Sequence, residues 1–344
     1  MTILQETLQH ITLADAQQSG RLTLIPLQSS VEVAMDYVLL DAAQAEGLAT
    51  VTEVSEDGSV PELLLDNGAS LSLFLLDGEE LLGAKQNRIV NLSLLIPGKT
   101  RQTIPVSCVE AGRWHHQSDT FASTDRAFFA SGRARKSADV TASMASVGSR
   151  RTNQGAVWED VSTALEDFEV ASQTDAVSDL YDNRASALDA MQQDFHVGAN
   201  HVGGVFAIDG KVVGIELFDA SSTWQALMPK LLRSYSIDAL RESNSGLPEK
   251  NPDEPDLTAS VQAFLERLAA AKTEQFDAVG EGSDLRMMED DISGGALLAK
   301  DRIIHFCAFA LEDGSGPARM KSRRSTWGVD VGRTVEASVQ GEEF

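Results

Sequence analysis

Apolar and polar residues alternate in short runs along the first third of the chain. Runs such as LTLIPLQ, PELLLDN and LSLFLLDG are separated by Asp-Gly, Asn-Gly and Pro-Gly pairs. Short alternating runs bounded by such pairs are typical of strands joined by turns. Residues 1–117 are therefore predicted to form a mainly β domain, an antiparallel β-sandwich-like region.

From residue 154 onward the apolar positions recur with a helical period instead. AVWEDVSTALEDFEV and VSDLYDNRASALDAMQQDF each place apolar residues on one stripe, and further helices are predicted at SSTWQALMPKLLRSYSIDALRE and LTASVQAFLERLAAAKTEQF. GGVFAIDGKVVGIELFD and GGALLAKDRIIHFCAFAL predict two β-hairpins, the first turning at Asp209 and Gly210. We expect residues 154–312 to form an α+β domain in which helices cover one face of an antiparallel sheet.

Two segments follow neither period. Residues 118–153 are small and basic and are predicted to form a loop, either a surface insertion or a mobile lid that grips anions. Between Arg126 and Arg151 there are six basic residues and one acidic residue, Asp139, so we expect this region to attract anions. Residues 313–344 are predicted to form a polar tail.

The overall charge is strongly acidic, with 28 basic and 52 acidic residues and a formal charge of -24. This charge argues against general nucleic-acid binding and against anionic membranes. The N-terminus lacks the pattern of a signal peptide, and no apolar run approaches the roughly 20 residues that span a bilayer, so we expect a cytoplasmic protein. Cys108 and Cys307 have no paired spacing, and the histidines have no ligand motif, so no metal site is predicted.

Polar residues interrupt the apolar runs in LFLLDGEELLGAKQNRIVN, residues 73–91. Glu79 and Glu80 follow the Asp-Gly turn, and one of them is expected to face inward unless both are solvated. Lys85, Gln86, Asn87 and Arg88 combine cations with amides, which suits the binding of phosphate and of sugar or base edges. The alternative is an internal polar network that locks the sheet.

A second polar segment, TIPVSCVEAGRWHH, begins at residue 103. A period of two places Cys108 and Glu110 in one apolar row, and a buried carboxylate needs a cation or several donors. We therefore expect Arg113 and the cations of the first segment to approach Glu110, so that the two segments meet. Trp114 is expected either to stack on a ring or to pack at the strand end.

The chemistry of this second segment depends on its charges. At about 7 Å, a charged Glu110 is expected to raise the pKa of Cys108 by about 1.7 units, which keeps the thiol protonated unless a cation intervenes. A reactive thiol is the alternative. If Glu79 or Glu80 lies beside Glu110, the two carboxyl groups would have different pKa values and could act as acid and base.

These strings, together with QGAVWEDV, VFAIDGKVVGIELFD and LLRSYSIDAL, resemble the ARG and rhodanese-phosphatase-superfamily-associated protein domain family from about Arg21 to Leu311. The resemblance implies a role in pathways that use NAD and ADP-ribose derivatives. The polar positions that match the family pattern are Glu79, Glu80, Lys85, Gln86, Asn87, Arg88, Asn91, Cys108, Glu110, Arg113 and Trp114.

Two functions are consistent with these patterns. The first is binding or processing of a nucleotide derived from ADP-ribose or NAD, with Glu79, Glu80, Glu110 and Cys108 as candidate catalytic residues. Its candidate substrate-binding residues are Lys85, Gln86, Asn87, Arg88, Asn91, Arg113 and Trp114. The second is a non-catalytic interaction or structural protein, with an Ig-like sheet braced by a buried polar network. Neither pattern identifies a cofactor.

Overall fold

The computed structural model describes residues 2–311 apart from 56–58, 60, 114–117 and 243–255, and within them the fold is mixed α+β, as predicted. The N-terminal elements are α1 (Ile3–Gln9), β1 (Ile11–Leu13), β2 (Gln17–Ser19), β3 (Leu22–Ser29), β4 (Tyr37–Leu39), α2 (Leu40–Ala45), β5 (Ala49–Glu53), β6 (Glu62–Asn67), β7 (Ser72–Leu75), β8 (Glu79–Gly83), β9 (Arg88–Val90), β10 (Leu94–Ile96), β11 (Thr100–Cys108) and β12 (Phe121–Ala127). The remaining elements are α3 (Ala130–Val147), α4 (Gln154–Asp167), α5 (Val177–Gln192), β13 (His201–Ile208), β14 (Lys211–Phe218), α6 (Ser221–Glu242), α7 (Leu257–Ala270), β15 (Thr273–Asp277), β16 (Ser283–Met287), β17 (Ile292–Ala299) and β18 (Arg302–Ala310).

Six strands close into a barrel, in the order β11-β6-β5-β12-β8-β9. A three-stranded sheet, β10-β7-β4, shares its apolar core with the barrel, which includes Val51, Leu65 and Leu75. The predicted sandwich form is not specifically confirmed, because closure of the barrel uses β12, which lies beyond the predicted β region.

A nine-stranded antiparallel sheet forms the second layer, in the order β1-β3-β13-β14-β18-β17-β16-β15 with β2 beside β3. Both predicted hairpins are confirmed, as β13 with β14 and β17 with β18. Asp209 and Gly210 have φ values of 51° and 78°, the positive angles that a type I′ turn requires. Strands from both sides of the predicted boundary at residue 117 join this sheet.

Helices cover both faces of the large sheet, whereas we expected cover on one face. Phe206 of β13 packs against Trp224 of α6 in one cluster, and Val205 of the same strand packs with Phe264 of α7 in another. Every residue of β13 is buried, so each face of the strand needs a covering layer. The barrel lies on the face that carries α6.

The expected loop at residues 118–153 is wrong, because this segment forms β12 and half of it is the helix α3. The helix α6 continues through Pro229 without restarting. In the part of the chain that the structure describes, no helix combines the length and the apolar character needed to cross a membrane. The predicted polar tail lies outside the described residues.

Candidate functional site

The two polar segments of the sequence meet at one end of the barrel, as predicted. Strand β11 pairs with β9, and this register places Cys108 opposite Arg88. The backbone N–H of Asn87 donates to Glu110 Oε2 at 3.0 Å. We call the group they form the barrel cluster, which consists of Gln86, Asn87, Arg88, Cys108, Glu110 and Arg113 and in which every residue is buried.

The strongest interaction in the barrel cluster joins Arg113 to Glu110. Arg113 Nε donates to Glu110 Oε1 at 2.8 Å, and Nη2 donates to Oε2 at 2.6 Å. Nη1 donates to the carbonyl oxygen of Ala84 at 2.8 Å, and Nη2 also donates to Asn87 Oδ1 at 3.0 Å. Two edges of the guanidinium therefore already bind protein oxygens.

Glu110 is held as a carboxylate. Burial alone would raise its pKa, but hydrogen bonds from Arg113, from the N–H of Asn87 and from the Thr174 hydroxyl lower that pKa below its ordinary value. The Thr174 hydroxyl donates to Oε1 at 2.9 Å. A carboxylate with this many donors is a poor proton acceptor at neutral pH.

Cys108 is a protonated thiol. Burial raises its pKa, and the nearby positive charge of Arg88 only partly offsets this effect. The Sγ atom donates to Gln86 Oε1 at 3.0 Å and lies 3.2 Å from the carbonyl oxygen of Glu110. The raised pKa of Cys108 agrees with the prediction, but its main cause is burial, because the charge of Glu110 contributes less than burial does. The geometry therefore favours a structural cysteine over a thiolate nucleophile.

Glu79 and Glu80 are buried away from Glu110, so the structure does not bring the proposed acid and base together. Glu79 Oε1 accepts from Lys230 Nζ at 2.6 Å, and its Oε2 accepts from the N–H of Leu76 at 3.0 Å. Glu80 Oε2 accepts from the Thr124 hydroxyl at 3.2 Å, and its Oε1 has no hydrogen-bond partner among the described residues. Burial raises the pKa of Glu80 to about 7.

Three other residues were predicted to bind the substrate: Asn91, Lys85 and Trp114. Asn91 donates to the carbonyl oxygen of Arg150 at 2.8 Å and accepts from the Ser107 hydroxyl at 2.7 Å. Lys85 is half-buried. Trp114 is outside the described residues, so its role stays a prediction.

A second polar group, missed by the sequence analysis, lies where the barrel, α3 and the large sheet meet. We call it the central cluster, and it consists of Asp77, Ser93, Arg133, Lys136, Glu216 and His305, all of them buried.

In the central cluster, two carboxylates alternate with two cations. Asp77 accepts from Arg133 Nε at 3.0 Å and from Lys136 Nζ at 2.7 Å. Arg133 Nη1 donates to Glu216 Oε1 at 2.6 Å. Burial alone would raise the pKa values of Asp77 and Glu216, but the nearby cations hold both below their ordinary range.

The sequence signals for this cluster were present but were assigned other meanings. Arg133 and Lys136 are three residues apart, which places them on one helix face, but their segment was predicted to be a loop. Glu216 stands alone in the apolar run VVGIELF, and His305 interrupts the apolar run IIHFCAF of the second predicted hairpin. A lone carboxylate in a buried strand is the signal that could have found this site.

Glu216, His305 and Cys307 could in principle hold a metal, because their ligand atoms all lie within 4.8 Å of one another. However, Arg133 and His305 already bind the carboxylate of Glu216. The positive charges of Arg133 and Lys136 would also repel a divalent cation at this position. We therefore assign no metal site to these residues.

Comparison with known proteins identifies the family of the chain. No curated protein and no solved structure is significantly similar to it. The model of one protein family matches residues 10–309, most of the chain. The chain therefore belongs to the family of the ARG and Rhodanese-Phosphatase-superfamily-associated Protein domain.

Proposed function

We propose that the chain is an interaction protein, in which the barrel cluster braces the fold and the acidic surface contacts partners. The single observation that supports this most strongly is the state of Arg113, the predicted phosphate ligand. Arg113 is 2% exposed, and its guanidinium binds Glu110, Ala84 and Asn87. A phosphate would have to displace these partners.

The cost of such a displacement disfavours a nucleotide at this position. Moving Arg113 toward a phosphate would leave Glu110 as an unpaired buried carboxylate, and breaking a buried ion pair costs about 3–5 kcal/mol. Gln86 is also engaged, because its amide nitrogen donates to the carbonyl oxygen of Glu110 at 2.8 Å. Binding of ADP-ribose or NAD derivatives at the barrel cluster stays a prediction of the family resemblance.

The distribution of charge indicates the chemistry of a partner. The basic segment was expected to attract anions, but Arg133 and Lys136 are buried beside Asp77 and Glu216. Arg135 pairs with Asp160, 2.7 Å away. With these cations neutralised internally, the formal charge of -24 belongs mainly to the surface, which favours a basic protein segment as the partner.

Calorimetric titration with ADP-ribose and with NAD tests the role of the barrel cluster. We expect no saturable heat from either nucleotide with the wild-type chain. Saturable binding that is lost in Arg113→Lys and kept in Arg267→Lys would contradict the proposal, because Arg267 forms only an exposed pair with Asp291.

The partner side of the proposal needs a separate titration. We expect a lysine-rich peptide to bind saturably and to lose affinity as NaCl is added, because exposed charges are screened by salt. A glutamate-rich peptide of equal length is the control and should not bind. Failure of the lysine-rich peptide to bind at low salt would remove the support that the surface charge gives to the proposal.

A further inference from the structure

Three side chains of the central cluster, Ser93, His305 and Glu216, form a hydrogen-bonded row. The bracing role does not require such a row. Ser93 Oγ lies 2.7 Å from His305 Nδ1, and His305 Nε2 lies 3.0 Å from Glu216 Oε2. Ser93 belongs to the connection between β9 and β10, whereas His305 and Glu216 lie on the neighbouring strands β18 and β14. The barrel and the large sheet therefore each supply part of the row.

The contacts of Glu216 fix the tautomer of His305. Glu216 Oε1 accepts from Arg133 at 2.6 Å and from the Tyr235 hydroxyl at 3.0 Å, so the carboxyl group is ionised. An ionised Oε2 requires a proton on the facing His305 Nε2. In the neutral ring, Nδ1 is then an acceptor, and the Ser93 hydroxyl donates its hydrogen to it.

The remaining contacts of Ser93 leave its oxygen suited to attack an electrophile. The N–H of Asp77 donates to Ser93 Oγ at 2.9 Å and holds the oxygen in place. One lone pair of Oγ accepts this bond, and the other is not used by these contacts. A serine whose proton is held by a histidine that a carboxylate orients has the arrangement of an activated nucleophile.

A small cavity adjoins the row. Its volume is about 10 Å³, and its lining includes Ser93, His305, Cys307, Asp284 and Arg286. A cavity of this size holds about one water molecule. An acyl group is larger than one water molecule, so even formyl or acetyl enters only by displacing that water and moving the side chains that line the cavity.

Arg286 supplies positive charge on the wall of this cavity. Its Nε donates to the Thr141 hydroxyl at 3.0 Å and its Nη2 to the Ser137 hydroxyl at 2.7 Å. A Cβ at Gly295 would come within 2.6 Å of Nη1. The glycine thus makes room for a guanidinium that can stabilise negative charge on an oxygen in the cavity.

We infer that Ser93, His305 and Glu216 form a nucleophilic site for small acyl esters, a role that goes beyond the proposed surface interaction. Ser93 Oγ forms a bond to the acyl carbon while its proton passes to His305 Nδ1. The bond from the acyl carbon to the leaving oxygen then breaks, and that oxygen takes the proton from His305. A water molecule releases the acyl group by the same two steps, which restores the serine.

Site-resolved mass spectrometry after incubation with p-nitrophenyl acetate tests this inference. In the wild-type chain, with the reaction stopped by acid during the first turnover, we expect an acetyl group on Ser93, formed with release of an equal amount of nitrophenol. Ser93→Ala should lose the label, and His305→Gln should slow acetylation of Ser93 by about 100-fold or more, as the loss of a general base does. The conservative Ser93→Cys should recover an acetylated side chain at this position.

Ser234→Ala is the matched control, because Ser234 is also buried but donates to the carbonyl oxygen of Phe128 at 2.6 Å. This variant should be acetylated at Ser93 at the wild-type rate. Circular dichroism melting of each variant establishes that it is folded before labelling. Absence of label on Ser93 in the folded wild type, or an unchanged rate in folded His305→Gln, would overturn the inference.

Discussion

Buried carboxylates in this protein differ in how completely they are paired. Glu110 and Glu216 each accept from an arginine and from further donors, and both have lowered pKa values. Glu80 is equally buried, but its nearest cation, Arg126, is 3.9 Å away and also binds Asp182. Burial therefore dominates at Glu80 and raises its pKa to about 7.

This difference predicts how stability depends on pH. The pKa of Glu80 is raised from 4.5 to about 7 in the folded state, so the folded chain binds the proton more tightly than the unfolded chain. The stabilisation is complete below about pH 4.5 and is lost as the pH rises to about 7. Above that pH, Glu80→Gln should be more stable than wild type by up to about 3 kcal/mol, at about 1.4 kcal/mol per unit.

Urea unfolding of wild type and Glu80→Gln at several pH values measures this effect. The difference between the two free energies of unfolding should be small near pH 5 and grow to a plateau above about pH 7. Groups common to both proteins cancel in the difference. A difference that does not change with pH would show that Glu80 is ionised throughout.

Several residue-level features could be predicted from the sequence, and others could not. The period of two in TIPVSCVE placed Glu110 in an apolar row, and it is indeed buried. The need of a buried carboxylate for a cation correctly indicated Arg113. Thr174 binds Glu110 and Gln154 binds Cys108, and both come from distant parts of the chain. No local sequence pattern predicts such contacts.

At the scale of elements, the helix α3 shows where sequence patterns fail. Its buried face mixes Arg133, Lys136, Ser137 and Thr141 with apolar residues such as Ala134, so polar side chains interrupt the apolar stripe. Helix prediction relies on such a stripe. The polar side chains face inward because Arg133 forms ion pairs with Asp77 and Glu216. These partners are distant in sequence, so the sequence alone does not reveal the pairs.

The hairpins and the barrel show the same contrast. Asp209 and Gly210 specify a local turn, so the pairing of β13 with β14 could be predicted. The barrel closes where β12 pairs with β5 and β8, across more than thirty residues of chain. Strands that are so far apart in sequence pair without a turn signal. The sandwich was predicted from the positions of the strands alone, because the sequence does not give the order in which they pair.

Two glycines provide a prediction about local backbone geometry. Gly210 has a φ of 78° with open space around it, so Gly210→Ala should cost only the strain of that conformation, about 1–2 kcal/mol. Gly155 lies in α4, where an added Cβ would be 3.5 Å from Asn153 Oδ1, an ordinary contact. Gly155→Ala should therefore stabilise the chain by about 0.4–1 kcal/mol.

Thermal unfolding of the two variants distinguishes strain from crowding. The melting temperature should fall for Gly210→Ala and rise for Gly155→Ala. Gly210→Asn serves as a second variant, because asparagine tolerates positive φ better than alanine and should recover part of the loss. Equal losses for Ala and Asn would contradict the assigned turn conformation.

At the scale of the whole molecule, the acidic surface opposes the compact state. The formal charge is -24, and buried pairs such as Arg133 with Glu216 remove cations from the surface. Uncompensated like charges repel across the folded surface and are screened by salt. Raising NaCl from about 20 mM to about 200 mM should therefore raise the melting temperature, by about 2–4 °C for each kcal/mol gained.

Calorimetric scanning at the two salt concentrations checks this expectation. A melting temperature that falls with added NaCl would mean that attractive surface pairs outweigh the repulsion. Replacing NaCl with an equal concentration of KCl is the control, because screening by monovalent salts depends on ionic strength alone.

The central claim is that Glu110 and Arg113 brace the fold and do not hold a ligand. A double-mutant cycle with Glu110→Ala and Arg113→Ala, followed by urea unfolding with and without ADP-ribose, tests it most directly. We expect a coupling free energy of about 2 kcal/mol or more, against less than about 1 kcal/mol for the exposed pair of Arg267 and Asp291. ADP-ribose should leave the wild-type free energy of unfolding unchanged. A coupling near zero, or a stabilisation by ADP-ribose that the variants lack, would contradict the account.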